Sequence, residues 1–146
     1  MEEPNGGLQD LGYSGGLGIA DETVQELLRT AWEARANSRV IGKTKVGAAV
    51  LVEGGKIFAG CNVEHKFRSH DVHAEVNALT SMIAGGGSQA IAIAVVSTRD
   101  HFTPCGACMD WIFELGGPKC RVYVSNREGF VLFDHLAEEL MPFYPF

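Results

Sequence analysis

The sequence predicts an α/β domain in which helices cover both faces of a mixed five-stranded sheet, forming a three-layer α/β/α sandwich. Two observations lead to this prediction. Helical and strand patterns alternate along the chain, and one run of strand length, Ile91-Ala92-Ile93-Ala94-Val95-Val96, is apolar throughout. A strand without polar positions is typical of one that is covered on both faces. The order of the strands within the sheet does not follow from these patterns.

A helix, a β-hairpin and a second helix account for the first half of the predicted order. Asp21 is a good N-cap residue, and apolar residues follow it at helical spacing as far as Trp32. The apolar runs 46–52 and 56–61 flank a two-glycine turn, which is typical of a hairpin. The apolar spacing is again helical over residues 72–83, and the glycines that follow end this helix.

A strand, a helix, two strands and a short helix complete the order. The strand is the apolar run described above. A proline at a position where a helix can begin, and two glycines where it can end, predict the next helix over residues 105–115. Strands are expected at 121–125 and 130–133 around a polar turn, and a short helix at 135–140.

The expected organisation is one domain, residues 19–146, preceded by a glycine-rich leader, residues 1–18. A chain of 146 residues fits a single domain of ~100–200 residues. The net charge of −6 argues against a nucleic-acid polymer as partner, because Lys and Arg side chains dominate phosphate binding. No apolar run approaches the ~18–20 residues that span a membrane, and the N-terminus lacks the pattern of a secretory signal. We therefore expect a cytoplasmic protein without a membrane partner.

Two short motifs carry candidate chemistry, and each opens a predicted helix: His73-Ala74-Glu75 and Pro104-Cys105-Gly106-Ala107-Cys108. Cys105 and Cys108 can both reach one metal ion from the first turn of a helix, where the thiolate form is favoured. With His73 they make three ligands and leave one position open, which is the pattern of catalytic zinc. Glu75 lies beside this set without having to bind the metal, which suits a carboxylate that transfers protons.

A structural zinc site is the alternative, with Cys61 or Cys120 as a fourth ligand. Both cysteines are expected instead to be small buried apolar residues at strand ends. His65 and His70 lie close to His73 in the sequence, and we expect them at the rim of the site or in solvent.

Four stretches together carry a resemblance to a known family: Val46-Gly47-Ala48-Ala49, Gly60-Cys61-Asn62-Val63-Glu64, His73-Ala74-Glu75 and Pro104-Cys105-Gly106-Ala107-Cys108. On these stretches the chain resembles the cytidine deaminases, from about residue 21 to residue 142. An H-x-E motif followed by P-C-x-x-C is the signature of the zinc-dependent deaminases.

The resemblance implies one zinc ion per subunit and a cytosine nucleoside as substrate. It assigns the metal to His73, Cys105 and Cys108. Glu75 would carry protons, and Asn62 and Glu64 would bind the sugar hydroxyls. The implied reaction is attack of hydroxide on C4 of the cytosine ring, proton delivery to N3 and the amino group, and loss of ammonia.

Three departures from the family pattern bear on the substrate pocket. Thr44 stands where the family usually has phenylalanine, Met109 replaces a common arginine, and His73 is the ligand type of the larger dimeric members. Six basic residues also fall between Arg39 and Arg68. They form either a solvated edge or a surface that faces an anionic part of the substrate, with Lys66 and Arg68 as the first candidates.

Two further functions remain open at this point. One is deamination of a cytosine nucleoside antibiotic, as in the related blasticidin S deaminases. The other is a zinc-stabilised binding module without turnover, against which the presence of Glu75 argues. The length favours a homotetramer over a dimer, and the aromatic tail, residues 143–146, is a candidate to complete a neighbouring pocket.

Overall fold

The computed structural model describes residues 19–145, so the proposed leader, residues 1–18, lies outside the described residues. The elements in chain order are α1 Asp21–Arg35, β1 Gly47–Val52, β2 Ile57–Cys61, α2 Ala74–Ala84, β3 Ala90–Val96, α3 Gly106–Gly116, β4 Arg121–Ser125, β5 Phe133–Leu136 and α4 Ala137–Leu140. The predicted alternation of helices and strands is confirmed. Within the described residues, no helix is both long and apolar enough to cross a membrane.

The five strands form one mixed sheet in the order β2-β1-β3-β4-β5. The hairpin strands β1 and β2 are antiparallel, and β1 also pairs antiparallel with β3. The single parallel pair is β3 with β4, and α3 crosses between them. The last strand, β5, returns antiparallel to β4.

Helices cover both faces of the sheet through apolar side chains, so that the sheet lies between two helical layers. On one face, α1 packs Val24, Leu27 and Ala31 against alternate residues of the central strands. The other face carries α2 and α3, with Leu79 and Ile112 among its fully buried residues. Because β3 is covered on both sides, its apolar composition has the predicted cause.

The predicted strand at 130–133 is wrong in position, since β5 is Phe133–Leu136 and the short helix begins only at Ala137. The turn between β4 and β5 extends beyond the polar residues 126–129, where the sequence predicted it to end. Arg127 and Phe130 close it with a bridge, and the Arg127 guanidinium lies 4.4 Å from the centre of the Phe130 ring. The apolar residues at 130–132 therefore belong to the turn.

At two glycines, the backbone of a strand lies in close contact with the backbone of a helix. At Gly47 in β1, an added Cβ would lie 2.1 Å from the carbonyl oxygen of Ala31 in α1. Gly60 in β2 is in similarly close contact with α2. His73 and Cys105 are the N-cap residues of α2 and α3, so the two predicted motifs occupy two helix N-termini on the same face of the sheet.

Candidate metal centre and active site

Three side chains from the N-termini of α2 and α3 form a cluster suited to a metal ion. Nδ1 of His73 lies 3.2 Å from Sγ of Cys108 and 3.5 Å from Sγ of Cys105. The ligand atoms of all three residues lie within 4.8 Å of one another. Zinc bonds of about 2.0–2.1 Å to nitrogen and about 2.3 Å to sulfur place two tetrahedral ligand atoms about 3.5 Å apart. The observed spacing therefore fits one zinc ion.

The chemistry of Cys108 also fits a bound cation. Burial, and next the neighbouring Glu75 carboxylate, raise the pKa of the Cys108 thiol. A thiolate in this place needs a compensating positive charge, which a metal ion supplies.

A fourth protein ligand is not part of the cluster. Among the described residues, the metal-binding group consists of His73, Cys105 and Cys108, without Cys61 or Cys120. Cys120 is buried, and this burial raises its pKa to about 12, so it is an inert apolar residue as predicted. Cys61 is only half-buried, contrary to expectation. Three ligands leave a coordination position open, which structural zinc sites do not.

Glu75 lies in the first turn of α2 with 5% of its surface exposed. Burial raises the pKa of its carboxyl group above the ordinary value. The Glu75 carboxylate lies close enough to Cys108 to raise the pKa of its thiol, which places Glu75 directly beside the metal cluster. A buried carboxyl group with a raised pKa is suited to accept a proton and return it.

A cavity of about 250 Å³ brings the predicted site residues together. The lining residues from the two motifs are His73, Ala74, Glu75 and Cys105, and the predicted sugar ligands Asn62 and Glu64 also line it. The volume lies just below the range of ~300–1,000 Å³ that is usual for small-molecule sites. A single cavity therefore joins the metal cluster to the residues predicted to bind substrate.

Asn62 is buried, and both ends of its amide contact backbone. Its Oδ1 accepts a hydrogen bond from Val46 N–H at 2.8 Å, and its Nδ2 donates to Thr44 C=O at 2.9 Å. These bonds leave the second N–H of the amide available for a ligand. The same bonds fix the backbone beside Thr44, which lines the cavity where the family usually has phenylalanine.

The Glu64 carboxylate is held by both of its oxygens. Oε1 accepts hydrogen bonds from the backbone N–H groups of Ile41 at 2.6 Å and Gly42 at 2.9 Å. Oε2 lies 3.2 Å from Nη2 of Arg68. These contacts, the two backbone bonds first, lower the pKa of Glu64 below its ordinary value. Glu64 is therefore an ionised and oriented acceptor on the cavity wall.

Arg68 is the one member of the basic segment that lines the cavity, and carboxylates already bind it. Besides Glu64, it contacts Asp71 through Nη2 at 2.9 Å and through Nε at 3.0 Å. Lys66 lies over the Phe67 ring, 5.2 Å from its centre, and not on the cavity. The remaining basic residues between Arg39 and Lys56 do not line the cavity either.

His65 and His70 stay outside the metal cluster, as predicted. Their rings pack with Phe67 in a small aromatic group on the 65–70 loop. Tyr144 of the aromatic tail stacks on Phe113 of α3, with ring centres 4.1 Å apart, and hydrogen-bonds Asp110.

Sequence reasoning missed three cavity residues on the loop between β3 and α3. These are Arg99, Phe102 and Thr103. A signal was available, because the loop follows the C-terminal end of a strand and leads directly to the first cysteine. Ligands in open α/β sheets bind at such strand ends.

Comparison with known proteins agrees with this geometry. Residues 21–124 match the family described as the cytidine and deoxycytidylate deaminase zinc-binding region. A cytidine deaminase of Sporosarcina psychrophila is 36% identical over 108 residues, covering 73% of this chain and 79% of that protein. A cytidine deaminase of Halalkalibacterium halodurans is 33% identical over 120 residues, covering 81% of this chain and 90% of that protein.

The fold agrees as well. The crystal structure of cytidine deaminase from Burkholderia pseudomallei superposes with a TM-score of 0.78 at 34% identity, covering 87% of this chain and all of that one. The predicted family, the α/β fold and the zinc-binding character are thereby confirmed. Through its motifs, its sheet and the match over 21–124, the chain belongs to the cytidine and deoxycytidylate deaminase zinc-binding family.

Proposed function

We propose that the protein is a zinc-dependent aminohydrolase that converts a cytosine nucleoside to the uracil form and releases ammonia. One observation carries this proposal: two of the three metal-binding side chains, His73 and Cys105, line one cavity of about 250 Å³ together with a buried carboxyl group, Glu75. A metal site that serves only stability has no use for that carboxyl group. Hydrolysis of an amidine needs both an activated water and a proton carrier, and the cavity provides for both.

His73, Cys105 and Cys108 would hold the metal. A bound zinc ion supplies a Lewis acid that lowers the pKa of a coordinated water to about 7. In our proposal Glu75 accepts a proton from the attacking water and gives it to N3 of the ring. It then carries a second proton to the amino group at C4, which leaves as ammonia while C4 becomes a carbonyl. Burial supports this role, since it raises the pKa of Glu75 and excludes competing water.

Asn62 and Glu64 would bind the sugar. The Glu64 carboxylate can accept a hydrogen bond from a hydroxyl group, because two backbone N–H groups and Arg68 keep it ionised and oriented. Asn62 can donate its second amide N–H to a sugar oxygen. The free base cytosine has no sugar to form these hydrogen bonds, so a nucleoside is the better substrate.

We also propose that the protein works as a homotetramer. Several large apolar side chains are exposed in the isolated chain, among them Ile41 at 54%, Phe67 at 59% and Trp111 at 41%. Exposed apolar surface of this kind favours subunit contacts. Light scattering on the purified protein separates a tetramer from a dimer or monomer.

We place the protein in the cytoplasm, in the recovery of pyrimidine nucleosides. The four cysteines are free thiols, and metal binding by two of them requires a reducing compartment. The small cavity and the net charge of −6 support a small-molecule substrate over a nucleic-acid polymer. Localisation of a fluorescent fusion tests the compartment.

A substrate panel tests the activity. The zinc-loaded protein is incubated with cytidine, deoxycytidine, cytosine and blasticidin S, and ammonia release and the ultraviolet change are measured. We expect turnover of the nucleosides, and a loss of about a thousandfold or more in kcat for Glu75→Gln, since the proton carrier is removed. Glu53→Gln on the exposed hairpin turn is the matched control and retains full activity.

Three outcomes contradict the proposal in different ways. Turnover that survives Glu75→Gln contradicts the mechanism. Turnover of blasticidin S in preference to cytidine assigns the antibiotic as substrate instead. An absence of turnover on every cytosine compound leaves a zinc-stabilised binding module as the better description.

A further inference from the structure

The two oxygens of the Glu64 carboxylate differ in what they still offer a ligand. Oε1 accepts hydrogen bonds from the backbone N–H groups of Ile41 and Gly42, at 2.6 Å and 2.9 Å. A carboxylate oxygen has two lone pairs, so both lone pairs of Oε1 are occupied. Among residues 19–145, the partner of Oε2 is Nη2 of Arg68, at 3.2 Å. Oε2 therefore keeps one lone pair for a ligand, and Arg68 is the side chain that contacts it.

The Arg68 guanidinium is itself oriented by a second carboxylate. Its Nε and Nη2 lie 3.0 Å and 2.9 Å from Oδ2 of Asp71. The other oxygen of Asp71, Oδ1, accepts a hydrogen bond from the backbone N–H of His65 at 2.7 Å. Because two donors of one rigid plane bind Asp71, the direction in which Nη2 meets Glu64 is fixed.

These contacts tie together the loop 64–71, which joins two parts of the cavity. Val63 and Val72 close the base of the loop, with each backbone N–H bonded to the carbonyl of the other at 2.8 Å and 2.9 Å. Arg68, near the middle of the loop, reaches back to the carboxylates at both of its ends. His73 of the metal cluster follows the closed base directly. The loop therefore connects the acceptor predicted for the sugar to a ligand of the metal, and Arg68 holds its two ends together.

We propose that Arg68 is a positioning residue that directs Oε2 of Glu64 towards a hydroxyl on the sugar ring and so sets the preference for hydroxylated nucleosides. This inference rests on the proposed binding of the sugar by Glu64 and deepens it by naming the acceptor atom and the side chain that orients it. Arg68 acts through Glu64, so substrate affinity depends on it and the chemical step does not. Its charge serves the protein's own carboxylates and not an anion on the substrate.

The test compares substrates that differ only in the hydroxyls of the sugar ring. Values of kcat and KM are measured for cytidine and 2′,3′-dideoxycytidine with the wild type and with Arg68→Gln. We expect Arg68→Gln to raise the KM of cytidine by about fivefold to thirtyfold, because a hydrogen bond to a charged acceptor is weakened, and to leave kcat within about twofold. The KM of the dideoxy substrate should change by less than about twofold, since it has no ring hydroxyl for Oε2 to accept.

Three further variants separate positioning from other effects. Arg68→Lys keeps the charge without the planar pair of donors and should restore part of the affinity for cytidine. Lys66→Gln removes a positive charge from the same loop at a residue that lies over the Phe67 ring and not on the cavity, and should leave both KM values unchanged. In a Glu64→Gln background, Arg68→Gln should have little further effect on KM, because the two residues act as one unit.

Thermal unfolding checks that the variant keeps its fold. The side chain of Arg68 is 55% exposed, and ion pairs of exposed side chains contribute little to stability. The Tm of Arg68→Gln should therefore stay within a few degrees of the wild-type value.

Product binding gives a readout that needs no turnover. Titration calorimetry measures the affinities of uridine and 2′,3′-dideoxyuridine for the wild type and Arg68→Gln. A preference for uridine that Arg68→Gln reduces supports the inference even if no cytosine compound is deaminated, in which case the proposed function alone fails.

Other outcomes overturn the inference and leave the proposed function intact. An unchanged KM of cytidine in Arg68→Gln shows that Glu64 needs no help from Arg68. An equal rise in KM for cytidine and the dideoxy substrate shows that Arg68 supports the loop as a whole and not the hydroxyl contact. An undiminished effect of Arg68→Gln in the Glu64→Gln background shows that Arg68 does not act through Glu64.

Discussion

Replacement of Gly60 by alanine tests how the fold holds the candidate site in shape. Gly60 lies in β2 where α2 crosses the strand. A Cβ at this position would lie 2.4 Å from the backbone nitrogen of Ala78 and 2.7 Å from Cβ of Asn77. Neither atom belongs to a flexible side-chain end, so the helix as a whole has to move to make room.

The size of the effect follows from these distances. An ordinary contact of about 3.5 Å requires α2 to shift by roughly 1 Å. Overpacking of this kind lowers the free energy of unfolding by about 1–3 kcal/mol, or about 2–12 °C in Tm for a chain of this length. Because α2 carries His73 and Glu75 at its N-terminus, the same shift misplaces two groups of the site. A displacement of about 1 Å can cost about a hundredfold in rate.

The assay measures Tm, bound zinc and kcat/KM of zinc-loaded Gly60→Ala at a temperature well below its unfolding. We expect kcat/KM to fall by about tenfold to a hundredfold. Gly54→Ala is the control. Gly54 has φ of +97° and no atom within 4 Å of an added Cβ, so the substitution strains the hairpin turn without moving α2. It should lower Tm and leave kcat/KM within about twofold. A Gly60→Ala enzyme with wild-type activity, or an equal loss of activity in both variants, would refute the reasoning.

Three further predictions follow from other contacts. Asp134→Ala removes one partner of a buried ion pair with Arg121, whose side chains are 3% and 5% exposed, and should lower the free energy of unfolding in urea by about 3–5 kcal/mol; a loss below 1 kcal/mol contradicts this. The pKa values of Glu64 and Asp71 lie below their ordinary 4.5 and 3.8, so their contribution to stability is present above those values and is lost as pH falls through the lowered ones. Amide exchange at Ile41, Gly42 and His65, whose N–H groups bind these carboxylates, should therefore accelerate in acid beyond its intrinsic pH dependence. Removal of the metal by a chelator should lower Tm by several degrees in calorimetry, and zinc should restore it, because the ligands are then held by the fold alone.

The prediction of the metal cluster from the sequence needed only local information. His73 and Cys105 each stand immediately before a helix, and helix starts can be recognised from short patterns. The fully apolar strand likewise indicated a sheet with two covered faces. The order of the strands could not be predicted, because pairing depends on which crossovers the tertiary fold selects.

Other features depend on contacts between distant segments. Glu64 is held by N–H groups from Ile41 and Gly42, more than twenty residues earlier, and no pattern in the sequence marks that contact. Ile83 and Trp111 complete a helical spacing of apolar residues, yet they are 47% and 41% exposed in the isolated chain. Spacing alone does not show how wide the buried stripe of a helix is.

The two halves of the cavity wall are built from different kinds of structure. The half that contains Glu75 and the candidate metal ligands comes from two helix ends packed on the sheet, whereas the other half comes from loop segments such as 41–46 and 62–71. Loops tolerate substitutions and insertions that packed helices do not. Changes of substrate can therefore arise in the loops while the reaction stays the same, and a designer who wants a new substrate should randomise those segments first.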